Sequence, residues 1–393
     1  MKRKVILLVL LMLLSISLIS LLIYKEYQKK KIEIETEEPT IEEVIVEEIE
    51  PPEPPKPYEE VLLSQMTPEE KVGQLFMFGV EGNATLTPQN KQFLIDSKAG
   101  GVLLMSRNIT NETQLKTLTE EIQTTNNIPL FISIDQEGGV VSRIKWNPTL
   151  MISQSSIKSP EQAYNIAKNK GEILKSMGIN MNLAPVIEYT TNPNSFIYQR
   201  TFRGNIDDVV NKSIATIDGY TEVNMIPVLK HYPGHGDTVT DPHYYLPRID
   251  ITNEQWQGYT ETFRRVITED KTDVVMIGHI LFPNIDVKPT TISSEIISNR
   301  LVNDLNYQGL IISDDMEMDA LDSFGSPTEM GKQALLAGVD ILIYSKYTPD
   351  NRYSQNIVYN YILSEVKNGN MNIDQKVLKV LRIKVKYGIL PTE

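Results

Sequence analysis

Eight short apolar runs recur along residues 73–345 and limit the folds open to this chain more than any other feature. The runs lack the alternation of a half-exposed strand, which is typical of parallel strands covered on both faces. Because helix-length segments separate them, the pattern predicts an α/β fold with a single TIM-type (β/α)8 barrel, and an open doubly wound sheet is the alternative. The runs are GQLFMFG (73–79), GGVLLMS (100–106), PLFISID (129–135), NMNLAPVIE (180–188), MIPVLK (225–230), DVVMIGHI (273–280), GLIISDD (309–315) and GVDILIYS (338–345).

The residues before the barrel divide into an apolar and an acidic segment. Residues 5–23 are apolar apart from three serines, which is long enough for a helix to cross the hydrocarbon core of a bilayer. No small-residue cleavage site follows, so we expect an uncleaved anchor over residues 1–24, with a cleaved signal peptide as the alternative. Residues 25–57 are rich in glutamate and proline, which predicts a disordered spacer. The folded domain is expected over residues 58–393.

The charge of the chain excludes one class of partner. The net charge is −13, and the predicted folded domain remains acidic when the segments before it are set aside. Because nucleic-acid binding needs a basic surface, we expect no nucleic-acid partner. No internal repeat or linker divides the domain, and we expect a monomer.

Three of the four histidines lie within residues 230–247, which read KHYPGHGDTVTDPHYYLP. They are His231, His235 and His243, and the fourth is His279. Histidine is the side chain that titrates nearest to neutral pH, so this clustering favours proton transfer or metal binding. A polar loop whose histidines only cap backbone groups is the structural alternative.

Polar side chains also stand at the carboxyl ends of five of the predicted strands. In a barrel these ends meet at one mouth, where polar residues are typically catalytic. Each residue alone could instead cap a following helix, and for Asp315 that role is at least as good an explanation as chemistry. The residues are Asp135, Glu188, Lys230 with His231, His279, and Asp314 with Asp315.

Two reaction classes fit carboxylates and histidines at one mouth. His231 and His235, with Asp237, His243 and an acidic strand end, could bind a divalent metal that activates water. Glycoside hydrolysis instead needs a nucleophile and a proton donor on opposite sides of the anomeric carbon. The spacing of the residues does not decide between the two.

The motif KHYPGHGDT followed by DPH resembles the KHFPGHGDT…DSH signature of bacterial β-N-acetylglucosaminidases of glycoside hydrolase family 3. The resemblance continues through IDQEGGVVSR, NLAPVIE, RTF, GHILFPNID and LIISDDMEM, and it covers most of residues 60–390. It implies a TIM barrel and a retaining, exo-acting enzyme that needs no cofactor or metal. It further implies that the substrates are peptidoglycan-derived glycans or muropeptides.

The resemblance also implies residue roles. Asp314 would be the nucleophile, and His243 would be the acid/base, paired with Asp241. Contacts with the sugar would come from Asp135, Arg143, Arg200, Lys230 and His231. We interpret His235 and Asp237 mainly as loop-shaping groups, and His279 as a residue that supports the site or packs the barrel.

Three departures from the family pattern affect the site. Arg203 stands where glycine is usual and would add charge and bulk beside the sugar pocket, Glu188 replaces an aspartate, and Pro242 stiffens the loop between Asp241 and His243. None removes a group that the chemistry needs.

We expect a single-pass protein of the cell membrane with its catalytic domain outside, or a secreted protein if the apolar segment is cleaved. Two other functions stay open: a metal-dependent hydrolase that uses the histidine cluster, and an anchored sugar-binding protein without turnover.

Overall fold

The computed structural model describes residues 2–36, 56–82, 85–269, 271–346 and 352–392. Contacts divide the chain into two compact units, Met1–Pro55 and Lys56–Glu393.

The first unit contains one long helix, α1, over Lys2–Thr36. Among the described residues it is the helix with the length and apolar composition needed to cross a membrane. A signal sequence near an N-terminus has the same properties, so α1 is a candidate for either role. The helix continues beyond residue 24 into the predicted spacer, and residues 37–55 of that spacer lie outside the described residues.

The second unit is built on parallel strands that form a barrel. The strands are β1 Phe76–Gly79, β2 Gly101–Leu104, β3 Phe131–Ile134, β4 Met181–Asn182, β5 in two parts, Ile226–Pro227 and Leu229–Tyr232, β6 Val274–Ile277, β7 Leu310–Asp315 and β8 Ile341–Tyr344. The hydrogen-bonded order is the first part of β5, then β4, β3, β2, β1, β8, β7, β6 and the second part of β5. Since both ends of this order are consecutive parts of one strand, the sheet closes on itself.

Each barrel strand lies in, or directly extends, one of the eight apolar runs, so the predicted TIM-type barrel is confirmed and the open sheet was the wrong alternative. A small antiparallel hairpin of Gln136–Gly138 and Val141–Ser142 follows β3. It had no counterpart among the apolar runs.

Helices cover the outside of the barrel, and several begin at a Ser or Thr cap followed by proline, as at Thr67, Ser159 and Ser326. The helices are α2 Tyr58–Gln65, α3 Pro68–Gly73, α4 Pro88–Ser97, α5 Glu112–Gln123, α6 Pro160–Ser176, α7 Ile206–Glu222, α8 Asn253–Tyr259, α9 Glu261–Thr268, a π-helical segment Glu295–Asp304, α10 Pro327–Ala337, α11 Arg352–Lys367 and α12 Asp374–Lys386.

The inside of the barrel is a packed apolar core rather than a channel. Inward-facing strand residues such as Met77, Phe131 and Ile312 fill it, and Val380 and Ile383 of α12 belong to the same cluster. These α12 residues close the amino-terminal end of the strands. Any site that admits a substrate must therefore lie at the opposite, carboxyl-terminal mouth.

Candidate active site

A network of buried charges occupies the mouth between β3 and β5. Lys230 Nζ in β5 lies 2.7 Å from Asp135 Oδ1 and 2.7 Å from Glu137 Oε1. On the other side of Asp135, Arg143 donates from Nη2 to Oδ2 at 3.1 Å. Burial alone would raise the pKa of Asp135, but the charges of Lys230 and then Arg143 outweigh it and hold that pKa well below its usual value. Asp135 is therefore ionised at neutral pH.

Glu137 joins Arg200 to the same network. Arg200 donates to its carboxylate through Nε at 2.9 Å and Nη2 at 2.7 Å, a bidentate pair. Burial opposes ionisation, but Arg200 and Lys230 lower the pKa of Glu137 to about 2. Paired carboxylates and cations of this kind can exchange hydrogen bonds with several sugar hydroxyls. The structure thus brings together four of the predicted sugar-binding residues, Asp135, Arg143, Arg200 and Lys230.

Glu137 was not among the site residues predicted from the sequence, although it contacts two of the predicted sugar-binding residues, Arg200 and Lys230. It lies two residues after Asp135 in the hairpin that follows β3. Residues two apart in an extended segment project to the same side, and this was the available signal.

Glu188, beyond β4, anchors the histidine-rich loop. It accepts hydrogen bonds from the backbone N–H groups of His231 and His235. Both rings also direct Nδ1 at it, that of His231 at 2.7 Å and that of His235 at 3.2 Å from Oε1. Burial lowers the pKa of His231 to about 4 although Glu188 acts in the opposite sense. The ring is therefore neutral at pH 7, and its Nε2 lies 3.4 Å from Arg200 Nη2.

Glu188, His231 and His235 are also the described residues that could hold a metal ion, since each offers a ligand atom within 4.8 Å of the others. A metal bound through the two Nδ1 atoms would require both of them to lose their protons. In the structure those same atoms are matched to the carboxylate as hydrogen-bond donors, and this satisfies a buried charge without an ion.

Asp314 stands at the carboxyl end of β7, on the face of the barrel that carries the charge network. One of its oxygens, Oδ1, accepts the backbone N–H of Asp315 at 2.8 Å. Burial would raise the pKa of Asp314, but the imidazoles of His231 and His279, the hydrogen bond from the backbone N–H of Asp315 and the charge of Lys230 together outweigh it, so this pKa lies below its ordinary value. The carboxylate is therefore available as an anion.

Asp315 points elsewhere and has a structural role. Its carboxylate accepts hydrogen bonds from Ser345, through the backbone N–H and the hydroxyl, and from the backbone N–H of Glu317. These contacts fix the turn after β7, in agreement with the capping role considered for Asp315.

Asp241 and His243 form their predicted pair at the rim of the mouth. His243 Nδ1 lies 2.7 Å from Asp241 Oδ1, and the side chains are 60% and 37% exposed, respectively. The ring of Phe196 lies between this pair and the buried His235. Its centroid is 6.3 Å from that of the His243 ring and 5.6 Å from that of the His235 ring. The structure thus assembles the pair itself but leaves it far more accessible to water than the charge network.

The remaining loop residues act as supports. Asp237 accepts a hydrogen bond from the hydroxyl of Thr190 at 2.5 Å, which fits its predicted loop-shaping role. Arg203 was expected to add charge and bulk beside the sugar pocket. Its guanidinium instead stacks on Tyr198 at 3.7 Å and donates to the carbonyls of Tyr198 and Thr201.

The ionised carboxylate at a strand end, the histidine–aspartate pair and the buried groups suited to hydroxyls are the groups that a glycoside hydrolase needs at the mouth of a (β/α)8 barrel. Residues 67–383 match the family described as glycosyl hydrolase family 3 N terminal domain, and the chain belongs to this family.

Curated relatives agree with this assignment. The chain is 32% identical over 285 residues to Beta-hexosaminidase A of Pseudoalteromonas piscicida, covering 66% of this chain and 48% of that protein. It is 30% identical over 267 residues to Beta-hexosaminidase of Haemophilus influenzae, covering 66% of this chain and 76% of that protein. The chain thus spans about half the length of the first of these relatives.

Solved structures show the same fold. A glycoside hydrolase family 3 beta-N-acetylglucosaminidase from Paenibacillus sp. superposes with a TM-score of 0.77 at 30% identity, covering 82% of this chain and 63% of that one. NagZ from Neisseria gonorrhoeae in complex with N-trifluoroacetyl-D-glucosamine superposes with a TM-score of 0.66 at 25% identity, covering 79% of this chain and 89% of that one.

Proposed function

We propose that the second unit is a retaining, exo-acting β-N-acetylglucosaminidase that removes terminal β-linked N-acetylglucosamine from peptidoglycan fragments. The observation that carries the proposal is the position of Asp314, an ionised carboxylate at the same barrel mouth as the Asp135–Lys230–Glu137–Arg200 network. A nucleophile must stand beside the groups that hold the sugar. The names of the relatives, beta-hexosaminidase and beta-N-acetylglucosaminidase, support this choice of sugar.

In the first chemical step Asp314 attacks the anomeric carbon and the glycosidic bond breaks. His243 gives its Nε2 proton to the departing oxygen, and a covalent glycosyl-enzyme ester remains. Asp241 holds Nδ1–H and stabilises the imidazolium, as the carboxylate of a serine-protease triad does. In the second step the same ring takes a proton from water, which attacks the ester and restores the original configuration.

The buried network binds the sugar before either step. Asp135, Arg143, Arg200 and Lys230 offer acceptors and donors to hydroxyls, and His231 offers a neutral ring nitrogen. In the oxocarbenium-like transition state, positive charge develops at the anomeric carbon and the ring oxygen, and the anion of Asp314 stabilises it.

The proposed setting is the outer face of a membrane. The apolar helix α1 would anchor the protein, and the glutamate-rich segment after it would act as a spacer. Because peptidoglycan also carries acidic groups, mutual repulsion would favour such a spacer over tight adhesion of the acidic domain. A cleaved α1 would instead give a secreted enzyme.

An assay with an aryl β-N-acetylglucosaminide, with and without a chelator, tests the reaction. We expect aryl alcohol release that the chelator does not change. Release that stops with chelator would support the metal-dependent alternative, and binding without release would support a sugar-binding protein.

Product analysis on purified muropeptides tests the substrate. We expect free N-acetylglucosamine and the matching shortened fragment by mass spectrometry, with Asp314→Asn as the inactive control. Activity on the aryl glycoside but not on muropeptides would keep the reaction and refute the substrate.

A further inference from the structure

We propose that His279 is a positioning residue that keeps the carboxylate of Asp314 in its reactive orientation by holding the backbone of Asp315. This inference rests on the proposed function, since it takes Asp314 as the nucleophile. His279 lies just beyond β6, and its side chain is fully buried.

The nucleophile stands on an irregular part of its strand. Along the β7–β8 ladder, Ile312 pairs with Ile341, whereas Asp315 pairs with Ile343, so β7 contains one extra residue there. Such a bulge turns a side chain away from its regular direction and removes ladder hydrogen bonds. Ser313 Oγ replaces one of them by accepting the backbone N–H of Ile343 at 3.0 Å. The orientation of Asp314 therefore depends on contacts outside the regular ladder.

His279 supplies the contact on the β6 side. Regular pairing between β6 and β7 ends at Ser313 and Ile277. Two residues further on, His279 Nε2 lies 2.9 Å from the backbone carbonyl oxygen of Asp315 and donates to it. The side chain thus continues, beyond the end of the ladder, the hydrogen bonding that holds β7 to β6.

On the β8 side, the carboxylate of Asp315 accepts hydrogen bonds from Ser345, and the backbone N–H of Met316 donates to Ile343 at 2.9 Å. Asp315 is consequently held from both neighbouring strands. Its own N–H then fixes Oδ1 of Asp314. If the carbonyl of Asp315 is released, the Asp315–Met316 peptide keeps only its contact with β8, and the resulting shift of the Asp315 backbone displaces the N–H that aligns the nucleophile.

The carbonyl of Asp315 sets the tautomer of the ring. It can only accept a hydrogen bond, so the proton of a neutral ring must sit on Nε2, and Nδ1 then accepts from the hydroxyl of Thr291 at 2.5 Å. The same hydroxyl lies 3.0 Å from the carbonyl of Gly278, to which Thr290 also donates. Burial, which lowers the pKa of His279, favours this neutral state. The neighbouring carboxylates of Asp314 and Asp315 raise the pKa of this ring, whereas the neighbouring imidazole of His235 lowers it.

The direct test compares His279→Leu with His279→Gln. Leucine fills the space without a donor, whereas the amide of glutamine can place an N–H near the position of Nε2. Because a small misplacement of a reacting group costs on the order of a hundredfold in rate, we expect His279→Leu to lower kcat about a hundredfold and to change KM less than about threefold. Glutamine should recover at least about tenfold of that loss.

The rate of covalent labelling by a 5-fluoro-N-acetylglucosaminyl fluoride separates positioning from other effects, because labelling needs attack by Asp314 but no proton from His243. We expect labelling to slow in parallel with kcat. Thr291→Val, which removes the hydroxyl that donates to His279 Nδ1, should slow labelling about tenfold and provides a test if His279→Leu does not fold.

Leu301→Ala serves as the control for stability, because Leu301 is fully buried in the π-helical segment outside the site. If His279→Leu labels as fast as Leu301→Ala, or if leucine and glutamine lose activity equally, the role of His279 is only structural and the inference fails.

Azide rescue of Asp314→Gly distinguishes failure of the inference from failure of the proposed function. Azide restores turnover when the missing group is the nucleophile. Rescue together with an unimpaired His279→Leu would overturn only the inference, whereas absence of rescue would overturn the assignment of Asp314 and, with it, both proposals.

Discussion

At the scale of single residues, His243 is the group whose proposed role depends most on the leaving group. Activated aryl glycosides leave without protonation, and natural glycans do not. We therefore expect His243→Ala to lower kcat/KM about 10²–10⁴-fold on muropeptides and far less on a nitrophenyl glycoside. Parallel kinetics on the two substrates provide the measurement. Equal losses on both would remove His243 from acid/base catalysis and favour His235.

Glu137 is the residue that the sequence analysis missed, and its importance can be tested separately. Glu137→Gln keeps the shape of the side chain but removes the charge that pairs with Arg200 and Lys230. Because breaking a buried pair leaves the remaining charges uncompensated, we expect kcat/KM to fall on the order of a hundredfold, a loss of about 3 kcal/mol in transition-state stabilisation.

Glu222→Gln is the matched control, since Glu222 forms a 2.7 Å ion pair with Lys168 on the surface. Such pairs contribute about 0–1 kcal/mol. A normal kcat/KM in Glu137→Gln would show that the network tolerates the loss of this charge.

The sequence alone identified the strand-end residues but not how they pair. Asp135 and Lys230 were assigned through the family motifs, whereas their connection through Glu137 and Arg200 joins positions 63 residues apart or more along the chain. Such pairings depend on which loops the closed barrel brings together. A single sequence does not show which distant residues are in contact, so the pairings could not be predicted from it.

At the scale of elements, all eight strands could be predicted because parallel strands covered on both faces consist almost entirely of apolar residues. The bulge at Asp314 and the hairpin after β3 could not. Both depend on individual hydrogen bonds, such as that between Ser313 and Ile343 on neighbouring strands, and such bonds leave no trace in the apolar periodicity.

The closing helix α12 carries a buried lysine that gives an element-scale prediction. Lys384 is fully buried and donates to Gln74 Oε1 and to the carbonyl of Gly100. Burial lowers its pKa to about 7. Between pH 7 and its ordinary pKa the unfolded chain binds this proton and the folded chain does not, so the contribution to stability rises with pH.

We expect the free energy of unfolding to gain about 2 kcal/mol from Lys384 between pH 7 and pH 9. Denaturant unfolding of the wild type and of Lys384→Met at both pH values measures how the free energy of unfolding of each protein changes with pH. Equal changes in the two proteins would show that the lysine keeps an ordinary pKa in the folded protein.

At the scale of the whole molecule, the proposed topology places the barrel outside the cell on a membrane anchor. Protease added to intact, wall-stripped cells should cleave in the acidic segment and release an active, soluble fragment that begins near residue 58. Activity that stays protected until the membrane is broken would place the barrel in the cytoplasm and favour the processing of internal fragments. Full activity in the medium before protease is added would instead indicate a cleaved α1.

The proposed mechanism depends on a covalent bond between Asp314 and the sugar, and this intermediate can be trapped and located. The enzyme is incubated with a 5-fluoro-N-acetylglucosaminyl fluoride, digested and analysed by tandem mass spectrometry, with Asp314→Ala as the control. We predict that one sugar attaches to the wild type on Asp314 and that the variant, which should fold normally and retain less than about a hundredth of the activity, carries no label. A label on another residue, or turnover in Asp314→Ala close to that of the wild type, would show that Asp314 is not the nucleophile.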